Sequence, residues 1–263
     1  MKKLFSYIGF ATLISLSIII SRQTTTVVKN IDTLMAEIKN NAKNYEKQPI
    51  DAKITENTMI PGLKGQRINI EKTYEQMKKI GRFNEKYIVY EEIEPNISIK
   101  SNLDKYIISG NKTKNTISLI IEIKTPTEQN TLNEMIEIAK KNNTPITIYI
   151  NPQITKENIK IEDKYENIQI INSQSKYCIQ DQTSKKDETK LNNCTEQRKY
   201  TVIPNIEIKK SLLKETKRQI TAGSIIRIPI NDSTKKELEL TIKYIKTKGY
   251  TIEALDKHLS ENN

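Results

Sequence analysis

The chain has 263 residues, with 43 Lys plus Arg against 32 Asp plus Glu and a formal net charge of +11. That length supports a real core, and the basic balance favours anionic partners, although the lysines alternate with glutamates in every segment, as solvated faces do. A single histidine, His258, excludes any site needing two imidazoles from one chain, and two cysteines, Cys178 and Cys194, exclude zinc sites of four cysteines or of two cysteines and two histidines.

Lys2 and Lys3 precede an apolar run from Leu4 to Ile20. Its length is at the lower limit for a spanning helix. A cleaved signal peptide is the rival reading, but the small pair Ser15 and Ser17 lies inside the run, with three isoleucines after it. We expect an uncleaved signal anchor over 1–21, making a single-pass protein of the cell membrane with its body extracellular. A helical stalk or linker is expected over 22–60. Val28, Ile31, Met35, Ile38, Ala42 and Tyr45 recur three and four residues apart until Pro49. That seam suits either an amphipathic helix lying on the body or a weak homodimer through 28–45.

Residues 61–115 read as a small N-terminal α+β extension. The pattern predicts a short strand, a helix over Glu71 to Ile80, a strand over Tyr87 to Ile93, and another over Asp104 to Gly110. Gly62-Leu63-Lys64-Gly65-Gln66 lacks the ending of a phosphate loop and reads as a turn. From 116 to 263 strands and helices alternate. Strands are expected at Thr116 to Ile123, Pro145 to Ile150, Ile168 to Asn172, Thr201 to Pro204, Ser224 to Ile230 and Tyr250 to Leu255. Helices are expected at Gln129 to Asn142, Ile208 to Thr221 with Gly223 as its stop, and Ser233 to Lys248 with Ser233 as its cap. This alternation means a mainly parallel sheet or barrel.

Two stretches within Thr116 to Leu259 carry a resemblance. "TISLIIEIKTPTEQNTLNEMIEIAKKNNTPITIYI" is similar to the opening unit of the NodB-like polysaccharide deacetylases, and "AGSIIRIPINDSTKKELELTIKYIKTKGYTIEALDKHL" resembles their C-terminal end. The resemblance implies a deformed (β/α) barrel over 116–263. It also implies places for a metal-dependent site at the strand ends, and those places are degenerate here. Glu122 falls where the family has its general base, and Ile123 where it has an Asp metal ligand. The region of the two His ligands reads Asn172, Ser173 and Ser175. Of the third motif only Pro204 survives, and the closing Leu-x-His has become Ile228-Pro229-Ile230-Asn231. Without metal ligands and a His acid, a metal-bound water cannot be activated nor a leaving amine protonated. We therefore expect no metal and no cofactor. Glu122 is the one residue of this set with acid-base capacity, and Lys124 should face the same side as its ion-pair partner on the groove rim.

Other residues have bland readings. Glu91, Glu92 and Glu94 with Glu122 could form a carboxylate cluster for glycoside cleavage, but acids among this many lysines are usually solvated. Tyr74, Tyr87, Tyr90, Tyr106 and Tyr149 could stack on sugars, with half-buried core tyrosine as the default. His258, in the polar tail "ALDKHLSE", reads as a solvated surface residue. Cys178 and Cys194 bracket a polar stretch with almost no apolar residues, and outside the cell they should form a disulfide. The functional expectation is a membrane-anchored, non-catalytic deacetylase-like protein that binds wall glycan or a partner. The alternatives are an enzyme with a replaced or metal-free site using Glu122, and a binder of anionic wall polymer. No nucleic acid partner is expected.

Overall fold

The computed structural model of the chain describes residues 32–154, 159, 161, 166–186 and 188–262. The expected anchor over 1–21 and the seam residues Val28 and Ile31 lie outside them. Among the described residues no helix is long and apolar enough to cross a membrane. The helices are α1 (Thr33–Ala42), α2 (Ile70–Lys78), α3 (Gln129–Lys141), α4 (Glu188–Glu196), α5 (Leu212–Gln219), α6 (Asp232–Thr247) and α7 (Leu255–Leu259). The strands are β1 (Lys53–Thr55), β2 (Thr58–Ile60), β3 (Gly65–Ile68), β4 (Tyr90–Ile93), β5 (Tyr106–Ile107), β6 (Thr116–Ile123), β7 (Ile146–Ile150), β8 (Ile168–Ile171), β9 (Tyr177–Ile179), β10 (Tyr200–Val202), β11 (Ile206–Glu207), β12 (Ile225–Pro229) and β13 (Thr251–Ile252).

The chain divides into two compact units that do not follow chain order. One comprises the described residues up to Gln48 together with Gly65–Ile93; the other comprises Pro49–Lys64 and Glu94–Asn263. The chain thus passes between the units at Pro49, Gly65 and Glu94. The reason is the hairpin β1–β2, which the sequence reading missed. β2 pairs in parallel with β5 and so belongs to the sheet system of the larger unit. Gly62 permits the close approach on which this depends, because a Cβ there would lie 2.3 Å from the Ile50 carbonyl oxygen. The segment Gly62 to Gln66 is therefore a backbone crossing into β3 rather than a turn.

In the smaller unit α1 packs on α2. Met35 and Ile38 are buried with Ile68, Tyr74 and Met77, and Ala42, Tyr45 and Phe83 pack against them. The described part of the apolar seam is thus packed within the chain. Asp32 caps α1 by accepting from the Leu34 amide at 2.8 Å and from the Tyr74 hydroxyl at 2.7 Å.

The larger unit is a mixed α/β fold built on two sheets. One runs β11-β12-β6-β7-β8 with β13 also paired to β6, all in parallel; the other runs β1-β2-β5-β10-β9. β6 is buried along its whole length, as a central parallel strand must be. Its alternate residues Ile117, Leu119, Ile121 and Ile123 join a core with Leu132, Met135 and Ala139 of α3 and Leu238, Ile242 and Ile245 of α6. On the opposite face Ile120 shares a second core with Met59, Ile107, Tyr149, Ile171, Val202 and Ile225. This second core draws on both sheets and fills the interior between them.

Several local expectations shift. The strand expected over Thr201 to Pro204 is Tyr200–Val202, and the helix expected from Ile208 begins only at Leu212, after the short strand β11. Gly223, with φ +86°, does not end α5, which stops four residues earlier. Asn231, not Ser233, caps α6, accepting from the Thr234 amide at 2.9 Å. The polar stretch between the cysteines is not structureless, because it forms α4 and buries Leu191 and Cys194. Cys178 on β9 and Cys194 on α4 form a disulfide with Cα atoms 6.3 Å apart, tying that helix to the edge of its sheet.

Candidate functional site

At the C-terminal ends of the parallel strands, four polar side chains converge on the interior face. Register sets Glu122 of β6 beside Tyr149 of β7, and Arg227 of β12 beside Glu207 of β11. Glu122 is 2% exposed and Arg227 16%. Both carboxylate oxygens of Glu122 are engaged by one guanidinium: Arg227 Nε donates to Oε2 at 2.9 Å and Nη2 to Oε1 at 2.5 Å. Arg227 Nη1 reaches Glu207 at 3.5 Å. Burial works against the Arg227 charge, but the hydrogen bonds and charge of Glu122, and then the charge of Glu207, hold the guanidinium above its ordinary pKa. Burial, then the neighbouring Glu122 charge, pushes the Tyr149 phenol up to about 12. Lys124 Nζ is 3.5 Å from Glu122 but is 55% exposed. The rim ion pair expected between Lys124 and Glu122 is present, yet it is the minor contact. The partner that decides the chemistry, Arg227, was missed.

A general base needs a lone pair directed at the proton it removes. Here a planar, bidentate cation covers both oxygens of Glu122. The arrangement is that of a closed ion pair under a strand end.

No family model matches the sequence. Over 144 residues the chain is 30% identical to the uncharacterized protein YlxY of Bacillus subtilis (strain 168), a match covering 54% of this chain and 44% of that one. The chain therefore spans less than half the length of this curated relative. Among solved structures, wild-type BA3943 from Bacillus anthracis, described as a CE4 family pseudoenzyme, superposes with a TM-score of 0.60 at 20% identity, over 88% of this chain and 96% of that one. A BA3943 mutant, described as a CE4 family pseudoenzyme with restored enzymatic activity, gives 0.62 at the same identity, over 88% and 100%. The chain has the fold of a family 4 carbohydrate esterase. The resemblance to polysaccharide deacetylases read from the two sequence stretches is thereby met at the level of the fold, and the 88% coverage reaches well before Thr116.

In this esterase fold the other expected groove residues separate into local roles. Ile123 points away from Glu122 into the helix-side core, as strand alternation requires. Asn172 closes its own turn, with its amide donating to Ser175 Oγ at 3.0 Å and its side chain accepting from the Gln174 amide at 2.9 Å. The Ser173 carbonyl accepts from Lys199 at 2.5 Å. Pro204 is buried and offers only its carbonyl, to Gln182 at 3.3 Å. Asn231 is spent as the α6 cap. Beside Asn172 and Ser173, at the ends of β7 and β8, lies a cavity of about 80 Å³ also lined by Ile150, Asn151 and Ile154. Ligand sites usually measure about 300–1,000 Å³.

The donor set does not fit the metal of the fold family. Ile123 has no donor, the Asn172 side chain is committed to turn hydrogen bonds, Ser173 has only a neutral hydroxyl, and among the described residues no group of three or more His, Cys, Asp or Glu side chains is placed to hold a metal ion. His258 is not the solvated residue expected. It is fully buried on α7. Its Nε2 lies 3.1 Å from the Gly223 carbonyl oxygen and its Nδ1 2.8 Å from Thr116 Oγ1. The carbonyl can only accept, so Nε2 carries the proton and Thr116 donates to Nδ1. Gly110 packs flat on the ring, where a Cβ would come within 2.4 Å of Nε2. Thr116 opens β6 and Glu122 nearly ends it, so the imidazole sits about 20 Å from Glu122 along the strand.

The remaining expected clusters also resolve locally. Glu91 binds Arg67 and Glu94 binds Lys64. Tyr74 and Tyr106 are core residues whose hydroxyls bond to Asp32 and to the Ser184 carbonyl, whereas Tyr87 and Tyr90 are exposed. One sequence signal could have found Arg227. "SIIRIPI" and "SLIIEI" each hold one charge, of opposite sign, inside an otherwise apolar parallel strand. Buried charges must pair.

Proposed function

We propose that this chain is a membrane-anchored, extracellular protein that keeps a deacetylase-like fold without deacetylase turnover and serves as a binding module for wall glycan or a partner protein. The observation that carries this reading is the bidentate clamp of Arg227 on Glu122, the residue at the expected general-base position. The absence of fitting metal donors beside it supports the same reading. Hydrolysis assays on acetylated glucosamine oligomers, with and without added zinc or cobalt, test it together with metal analysis of the purified protein. We expect no stoichiometric metal and no turnover. Turnover that disappears in Glu122→Gln would return the protein to the enzymes.

The anchor and the extracellular body rest on Lys2-Lys3 and the apolar run from Leu4 to Ile20. Protease added to intact cells should remove the body. A mature chain free in the medium, beginning after Ser17 or Ser21, would refute the anchor.

A further inference from the structure

A second surface lies outside the old catalytic end and is built differently. Lys209, Lys210, Ser211, Lys214, Glu215 and Arg218 line an open groove of about 590 Å³ along α5. Lys209 and Lys210 follow β11 after the buried Ile208, so the groove begins near the C-terminal rim of the sheet and then follows the helix. Lys214 and Arg218 are spaced four residues apart on α5, which puts them on one face, about 6 Å of helical rise apart, and Lys210 lies just before the extended cap residue Ser211. All four cations are exposed. None of the four forms an ion pair with a described carboxylate, whereas Lys235 and Lys243 on neighbouring α6 do.

The acids nearby, Glu215 and Glu237, keep their charge but hold it on the start of the helix, where they accept from amides and from Ser211 rather than from these four cations. Glu215 accepts from the amides of Lys209, Lys210 and Ser211 at 3.3, 2.7 and 3.2 Å. Glu237 accepts from Ser211 Oγ at 2.9 Å and from the Leu213 amide at 2.9 Å. The amides of Ser211, Leu213 and Lys214 are therefore already engaged, which leaves the four cationic side chains to hold a ligand. Such a ladder suits a flexible chain carrying anionic groups at regular intervals. The lining contains no aromatic residue, which disfavours single-stranded nucleic acid, whose bases need stacking platforms. It also has no apolar side chain to insert into a lipid surface.

We propose that the α5 groove binds a phosphodiester-linked polyol polymer through Lys210, Lys214 and Arg218, with Lys209 at the rim. This surface does not depend on the state of Glu122, so its failure leaves the catalytic reading untouched. The test is anisotropy of fluorescently labelled poly(glycerol phosphate) titrated with the full chain in detergent, at low and at raised salt. We expect binding that weakens steeply with salt, and a loss of about tenfold or more in the triple variant Lys210→Glu, Lys214→Glu, Arg218→Glu. The triple variant Lys53→Glu, Lys79→Glu, Lys236→Glu makes the same change in net charge elsewhere on exposed positions and should lose less than about threefold. Equal loss in both variants would mean diffuse charge attraction and overturn the site. No binding by the native chain would also overturn it, as would equally tight, equally sensitive binding of single-stranded DNA.

Discussion

Replacing Arg227 by Met removes the guanidinium while keeping a similar apolar stem in the interior. Glu122, 2% exposed, would lose both of its hydrogen bonds at 2.9 and 2.5 Å. Its remaining cation would be Lys124 at 3.5 Å, whose side chain is more than half exposed and screened by water. Breaking a buried pair from one side costs about 3–5 kcal/mol, since the surviving charge is left in a medium that cannot solvate it. The residual Lys124 contact places the expected loss near the lower end, about 3 kcal/mol. Urea unfolding at neutral pH, followed by circular dichroism, reads it directly. The double variant Glu122→Leu, Arg227→Met removes both charges and fills the same space, so it should recover most of the loss. Arg227→Met within about 0.5 kcal/mol of the native chain would refute the reasoning. So would a double variant as unstable as the single one, because the loss would then come from packing rather than from an orphaned charge.

Burial holds the pKa of His258 down to about 4, against the usual 6.5. The unfolded chain then takes up its proton first, so this contribution to stability is complete above pH 6.5 and is lost as pH falls from there towards about 4. The loss is about 3 kcal/mol in total. Because the chain has one histidine, its single imidazole resonance should stay unshifted from about pH 8 to about pH 5 in the folded protein; ordinary titration near 6.5 would show the ring to be exposed. Replacing both cysteines by serine should cost about 3 kcal/mol on the chain-entropy estimate. It should also raise amide exchange across α4, whose only buried residues are Leu191 and Cys194. Two alkylatable thiols in the undenatured, unreduced protein would contradict the bridge.

The sequence by itself determined the elements whose pattern is local and long. β6 from Thr116 to Ile123 and the α3 face of Leu132, Met135, Ile136 and Ala139 could be read from periodicity, because one buried strand and one amphipathic helix each write their environment into consecutive residues. The loss of metal donors was legible too, since composition alone denies the chain a second histidine. What only the tertiary structure decided are the pairings between distant residues. Glu122 meets Arg227 from 105 positions away, and Thr116 meets His258 from 142. The polar tail "ALDKHLSE" looked solvated because its polar residues outnumber its apolar ones, yet one turn of helix turns Leu255, His258 and Leu259 to the same buried side. The division into units was hidden for a related reason. Strands of three residues, such as β1 and β2, carry too few side chains to show a period, so their place in a sheet is fixed by the partner strand that binds them.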